Sequence, residues 1–186
     1  MPTTAEVIAA IVANPCNSAL LELLAELQLP QAMLTAGCLF QAVWNQQAGQ
    51  PPDWGVKDYD IAYFDEDLSW EAEDRVIRQV EAACARRGLD ILVEVRNQAR
   101  VHLWYEQHFG YPGVPLQRVT DGIDRYLISA TCLGMEATSG HLYSTHGLDD
   151  VTAGILRINP CNPQPDLFQR KVASYRQRWP WLRIVD

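Results

Sequence analysis

Asp58 and Asp60 stand two residues apart in the run Lys57-Asp58-Tyr59-Asp60-Ile61-Ala62-Tyr63-Phe64. On a β-strand, carboxylates at this spacing project from one face. The residues around them are apolar, β-branched or aromatic, the composition of a buried strand. Two like charges there repel each other and lose hydration, so they need a counter-charge. Hard oxygen donors in this number suit Mg²⁺, with Mn²⁺ as the alternative, its shell completed by water and substrate phosphate. The pair points to metal-assisted phosphoryl chemistry. Glu94, flanked by Leu92, Val93 and Val95, is a third carboxylate in a second apolar segment. Asp58, Asp60 and Glu94 are thus the candidate metal ligands and catalytic carboxylates. Each has a plainer alternative: an isolated Asp-x-Asp pair often caps a loop, and Glu94 can pair with Arg96 or Arg100.

Phosphoryl transfer depends on charge neutralisation and alignment more than on covalent chemistry. Gly37, ahead of a helix that includes Cys38, lets backbone N–H groups face a phosphate. Arg96 and Arg100 follow the Glu94 segment and are candidates to neutralise a triphosphate or pyrophosphate, and Asn97 between them is a further nucleotide-binding candidate. Surface or salt-bridge roles are the alternative for both arginines. His102 reads as a structural histidine, Asp65-Glu66-Asp67 as a turn and helix cap, and Trp44, Trp104 and Trp181 as core or interface aromatics.

The elements that must hold these residues can be read from periodicity and caps. Helices are expected over about 3–13 and 18–28, the second starting at Ser18 and stopped by Pro30. A helix over about 38–48 leads, through a loop containing Pro51 and Pro52, to the carboxylate strand at 57–64. Ser69 caps a helix that runs to about 87, where Gly88 ends it. A strand is expected over 89–95, a helix over 98–109, a short helix from about 120, a strand near 128–137 and a hairpin partner at 141–144. Asn159-Pro160-Cys161-Asn162-Pro163-Gln164-Pro165 reads as an extended linker, and Asp166 as the cap of a last helix. The expected architecture is α/β (α+β), a sheet with helices mostly on one face. It divides into a helical segment 1–30, a core 31–158, and a linker and helix over 159–186, within one domain.

At 186 residues, 48% hydrophobic and 20% charged, the composition is ordinary for a globular domain. Five scattered cysteines (Cys16, Cys38, Cys84, Cys132, Cys161) and four histidines (His102, His108, His141, His146) form no zinc-type pair. No apolar run is long enough to span a bilayer, and residues 1–6 lack a basic signal-peptide region. A cytoplasmic protein with reduced thiols is expected. The net charge is −8; six Lys/Arg against two Asp in 157–186 make that segment +4, leaving −12 on the rest. So acidic a body repels a polyanion, favouring a small-molecule or protein acceptor over nucleic acid. The basic C-terminal helix has three readings, docked on the acidic body, reaching a phosphate or simply solvated, with the solvated helix as the default.

The order of a Gly before a helix, an Asp-x-Asp strand and a third carboxylate strand resembles the nucleotidyltransferase superfamily, with its polymerase-beta-like fold. A longer series is closer to a bacterial nucleotidyltransferase family: Ala36-Gly37-Cys38-Leu39-Phe40-Gln41-Ala42-Val43-Trp44-Asn45, then Asp58-Tyr59-Asp60-Ile61-Ala62-Tyr63-Phe64-Asp65. Glu94-Val95-Arg96-Asn97-Gln98-Ala99-Arg100-Val101-His102-Leu103-Trp104, Gly147-Leu148-Asp149-Asp150 and Asn159-Pro160 continue it. The resemblance covers most of 30–163. It implies a mixed-sheet core, Mg²⁺, and transfer of a nucleoside monophosphate from an NTP donor with release of pyrophosphate. It also places metal-ligand roles on Asp58 and Asp60 and the third-carboxylate role on Glu94. Position 38 departs from the superfamily's usual Gly-Ser or Gly-Gly, and a Cys thiol does not donate to phosphate as a Ser hydroxyl does. The spacing from Gly37 to Asp58 is also long, with room for an insertion bearing Trp44 and Trp54. Two rival readings remain: a non-catalytic nucleotide- or protein-binding module, and a toxin–antitoxin-type protein modifier.

Overall fold

A computed structural model describes residues 2–110 and 112–185, the side chains of residues 108 and 109 excepted. His108 therefore lies outside the described side chains. Two helices open the chain, α1 (Thr4–Val12) and α2 (Pro15–Leu27). Thr3 and Glu6 close a reciprocal capping box on α1. Helix α2 starts three residues earlier than Ser18 suggests, because Asn14 accepts from the Cys16 and Asn17 amides ahead of Pro15. Strand β1 (Met33–Thr35) passes through Ala36 alone into α3 (Gly37–Gln47). Then come β2 (Tyr59–Tyr63), α4 (Trp70–Arg86) and β3 (Val93–Asn97). A 3₁₀ turn, Gln98–Arg100, leads into α5 (Val101–Phe109), followed by α6 (Val119–Ile123). The hairpin β4 (Leu133–Glu136) and β5 (Leu142–Ser144) precedes α7 (Asp149–Ala153) and β6 (Ile155–Leu156). The last elements are α8 (Pro165–Arg178) and β7 (Arg183–Ile184).

The main sheet is mixed, in the order β3-β2-β1-β4-β5. Strands β2 and β3 are parallel and the other neighbours antiparallel. Register places Thr35, Asp60 and Glu94 side by side. Alternation along the strands then assigns the two faces. Leu34, Ile61, Val95, Leu133 and Met135 join the main core, built with α1, α2, α3, α4 and α8. Asp60, Glu94, Thr35 and Gly134 look the other way. That second face is partly covered by α6, whose Val119 and Ile123 pack on Met33 and Ala62.

Strands β1, β6 and β7 lie where no strand is expected, and β3 and α8 also differ from expectation. The strand expected over 89–95 begins at Val93: the Leu89 amide closes the end of α4 on the Cys84 carbonyl, and Leu92 is 60% exposed. The C-terminal helix is not solvated all round. Its Phe168, Val172 and Tyr175 are buried, and the chain returns through Trp179 and Leu182 to pair β7 in parallel with β6. Tyr175 and Trp179 stack edge-on against Trp44, at centroid distances of 5.5 and 5.3 Å. The Trp179 indole donates to Asn45 Oδ1 at 3.0 Å, and Asn45 Nδ2 donates to the Pro52 and Trp54 carbonyls. Asn45 thus ties α3, the loop before β2 and the C-terminal segment together. Asp166 lies in the first turn of α8 rather than at its cap, which is Gln164. Among the described residues no single helix is long and apolar enough to cross a membrane.

Trp179 is fully buried, hydrogen-bonded and stacked, so Trp179→Ala is expected to cost about 3–5 kcal/mol of stability in a urea titration. Leu92→Ala, at an exposed position, should stay within about 0.5 kcal/mol. Equal losses would contradict the docking of the C-terminal segment.

Candidate active site

Asp60 lies within β2 and Asp58 just before it, where the Tyr59 amide bonds the Leu92 carbonyl. The two-residue spacing keeps both carboxylates on the face opposite the main core. Glu94 is the direct neighbour of Asp60 across the parallel β2–β3 pair. Burial, then the charges of Asp58 and Glu94, push the Asp60 carboxyl up to about 7, against the opposing fields of Lys171 and Arg96. Glu94 makes an ion pair with Arg96 at 3.6 Å, both side chains remaining nearly half exposed. The alternative raised for Glu94 and the expected position of Arg96 near the carboxylates thus meet in one contact.

Across β1, Thr35 Oγ1 donates to the Asp60 carbonyl at 3.3 Å. The next residue, Ala36, has φ 59° and ψ −127°, a region that an L-residue enters at a cost of order 1–3 kcal/mol. Its amide is held by the Leu133 carbonyl, and its own carbonyl accepts from Leu39 at 3.1 Å. This turn drops the start of α3 beside Asp60. Gly37 and Cys38 occupy the first turn, where N–H groups have no intrahelical acceptor. The Cys38 side chain is fully buried and donates to the Thr35 carbonyl at 3.4 Å. Burial, then the charge of Asp60, raises its thiol well above the usual range. The Cys38 side chain, buried and bonded to Thr35, is therefore not placed to contact a nucleotide.

Asn97 and Arg100 need a larger correction. Asn97 alternates with Glu94 and Arg96 onto the core side of β3, where it is buried. Its side chain donates to the Asp65 carbonyl at 2.8 Å and accepts from the Asp65 and Ala99 amides. Arg100 is paired with Glu73 at 2.8 Å, donates to the Leu68 carbonyl and lies over the Trp70 ring. Glu73, in the first turn of α4, also accepts from the Asn97 amide at 2.8 Å. Both candidates are consumed in clamping the loop after β2 to α4, so they do not line the carboxylate face.

Other groups approach the carboxylates from elements that the motif reading did not reach. Lys171 and Arg178, at i and i+7 of α8, flank the Tyr175 ring at 5.7 Å each. The Lys171 charge acts on Asp60 and the Asp58 charge on Arg178. Burial raises the hydroxyl pKa of Tyr126, following α6, far above normal, with the Asp60 charge adding to it. The spacing of Phe168, Val172, Tyr175 and Trp179 was the available signal that α8 docks and carries its cations with it.

Among the described residues no group of three or more His, Cys, Asp or Glu side chains is placed to hold a metal ion. Asp58 and Asp60, with Glu94 alongside, instead fit a cation that takes one or two carboxylates and keeps open positions, as Mg²⁺ does. The protein can offer negative donors on a sheet face, a helix N-terminus beside them, and cations on α8 and β3.

Comparison with known proteins bears on the family and the fold. A nucleotidyltransferase family profile matches residues 22–184. Among solved structures, an NMR structure described as revealing a CCA-adding enzyme head domain superposes with a TM-score of 0.78 at 21% identity, over 99% of this chain and 96% of that one. A CCA-adding enzyme in complex with CTP gives 0.54 at 12% identity, covering 100% of this chain and 44% of that one. The Thermotoga maritima CCA-adding enzyme complexed with tRNA gives 0.56 at 14%, covering 100% and 43%. The chain spans less than half the length of these two enzymes, and at such identities the likeness is one of fold. No curated protein matches the sequence. The family match takes in β1, α3, the three carboxylates and α8, and by it this chain belongs to the nucleotidyltransferase family.

Proposed function

We propose that this protein transfers a nucleoside monophosphate from an NTP to a hydroxyl acceptor and releases pyrophosphate. The reading is carried by one observation: strand register sets Asp60 beside Glu94, with Asp58 two residues before it, on one sheet face, where burial and then those two charges raise the Asp60 carboxyl to about 7. Asp58 and Asp60 would hold Mg²⁺, or Mn²⁺, which when bound supplies positive charge to the donor's phosphate oxygens. The backbone N–H groups of Gly37 and Cys38 and the Arg96 guanidinium would align the phosphate chain. Glu94 stands to take the proton of the acceptor hydroxyl. The acceptor oxygen then bonds the α-phosphorus as the bond to the bridging oxygen breaks, and pyrophosphate leaves.

The −12 charge on residues 1–156 favours a small molecule or a protein as acceptor over a long nucleic acid. A second reading, a nucleotide-binding module without transfer activity, is favoured by the burial of Cys38, which removes the side-chain donor from the first turn.

Wild type with Mg²⁺ and a mixed acceptor pool should release pyrophosphate from at least one of the four NTPs, and Asp60→Asn should lose roughly 10³-fold or more. Mg²⁺-dependent NTP binding without release would establish the binding module instead. Full activity in Asp60→Asn would sink the assignment.

Asp60 also makes stability pH-dependent. Its pKa is about 7 folded against 3.8 unfolded, so its contribution is full below about pH 4 and is lost as pH rises through 7. In metal-free protein, Asp60→Asn should therefore gain on wild type by a few kcal/mol between pH 4 and 8. A difference that does not change with pH would contradict the crowding of Asp60.

A further inference from the structure

The first turn of α3 lacks a side-chain donor at position 38, yet one turn later a polar group leans back over it. Helical side chains tilt toward the N-terminus, and Gln41 does so here. Its Nε2 lies 2.8 Å from the point that a Cβ on residue 37 would occupy. The backbone at Gly37 is not in the left-handed region, so a side chain there would meet the Gln41 amide rather than backbone strain. Gln41 is 6% exposed. Its Oε1 accepts from Arg178 Nη1 at 2.9 Å, and because a guanidinium only donates, this contact fixes the amide orientation. The Nε2 end, which has no hydrogen-bond partner among the described residues, is left facing Gly37. Arg178 is itself held by the Gly55 carbonyl at 2.8 Å and by the Trp179 ring, 4.4 Å away. The charge of Asp58 acts on this same guanidinium.

We propose that Gln41 replaces the missing hydroxyl of the first motif: its amide NH₂, aimed by Arg178, hydrogen-bonds the polyphosphate of the donor nucleotide beside Gly37. The C-terminal helix α8 is then part of the nucleotide site, with Arg178 as a positioning residue. This rests on the transferase reading above. It also assigns glycine at 37 a role, since a Cβ there would push the amide aside.

The test is calorimetric titration of the full chain with Mg²⁺ and inorganic tripolyphosphate, and with each of the four NTPs, alongside melting midpoints. Gln41→Glu keeps an acceptor for Arg178 but turns a negative charge toward the phosphates. It should bind both probes at least tenfold more weakly with an unchanged or higher midpoint. Gln41→Leu, which removes the donor without adding charge, should lose about three- to tenfold. Arg178→Lys should weaken binding in the wild type and add nothing further to Gln41→Leu. Wild-type affinity in folded Gln41→Glu or Gln41→Leu overturns the role of Gln41 alone, and additive losses overturn the positioning role of Arg178. If the wild type binds neither probe, the transferase reading fails and takes this one with it.

Discussion

Three carboxylates on one face of a sheet repel one another, and much of the surrounding structure can be understood as holding them there. The row exists because β1, β2 and β3 are in a register that sets Thr35, Asp60 and Glu94 side by side. Stability alone would favour spreading these charges or burying apolar residues in their place. Instead Asp60 stays desolvated between like charges, and Ala36 holds a costly backbone angle one residue from Thr35. Strained backbone and a strongly raised carboxyl in one place are signs of a site that a ligand completes.

The opposite face of the sheet supplies the rigidity. Leu34, Ile61, Val95 and Leu133 pack into a core shared with helices from both ends of the chain. The aromatic group of Phe40, Trp44, Tyr175 and Trp179 fastens α8 along α3. This packing carries Lys171 and Arg178 to the carboxylate side, so the positive tail offsets part of the acidic body where it is most crowded. On the other side of β2, Glu73, Arg100 and Asn97 lock the loop after the strand. A buried ion pair of this kind is costly to break from one side, which suits a clamp better than a mobile phosphate contact.

The carboxylate strand, the nucleotidyltransferase family and the face shared by Asp58, Asp60 and Glu94 were legible because local rules governed them, whereas the three-residue central strand β1 was not. Period-two alternation set the carboxylate strand, Ser69 and Gly88 bounded α4, and the ordered motifs carried the resemblance. Asn97 and Arg100 were assigned to the phosphates by adjacency to Glu94. Alternation already placed Asn97 on the other face, whereas the partner of Arg100, Glu73, is twenty-seven residues away and invisible to local reading. Gln41 stands within the first motif series with no role assigned to it, since that role depends on Arg178 arriving from a helix more than a hundred residues later. The two-residue strands β6 and β7 are too short for any periodicity to reveal. In α8 the apolar spacing was present, but its charge was given more weight, and the docking face was read as solvated.

The most direct measurement is the titration of the Asp60 carboxyl, followed by ¹³C NMR in metal-free protein and again with Mg²⁺ and NTP. Burial and the charges of Asp58 and Glu94 predict a midpoint near 7 without metal, falling below about 5 when cation and nucleotide bind. A midpoint in the ordinary carboxylate range under both conditions would mean that Asp60 is neither crowded nor a ligand, and the catalytic reading of this face would fail.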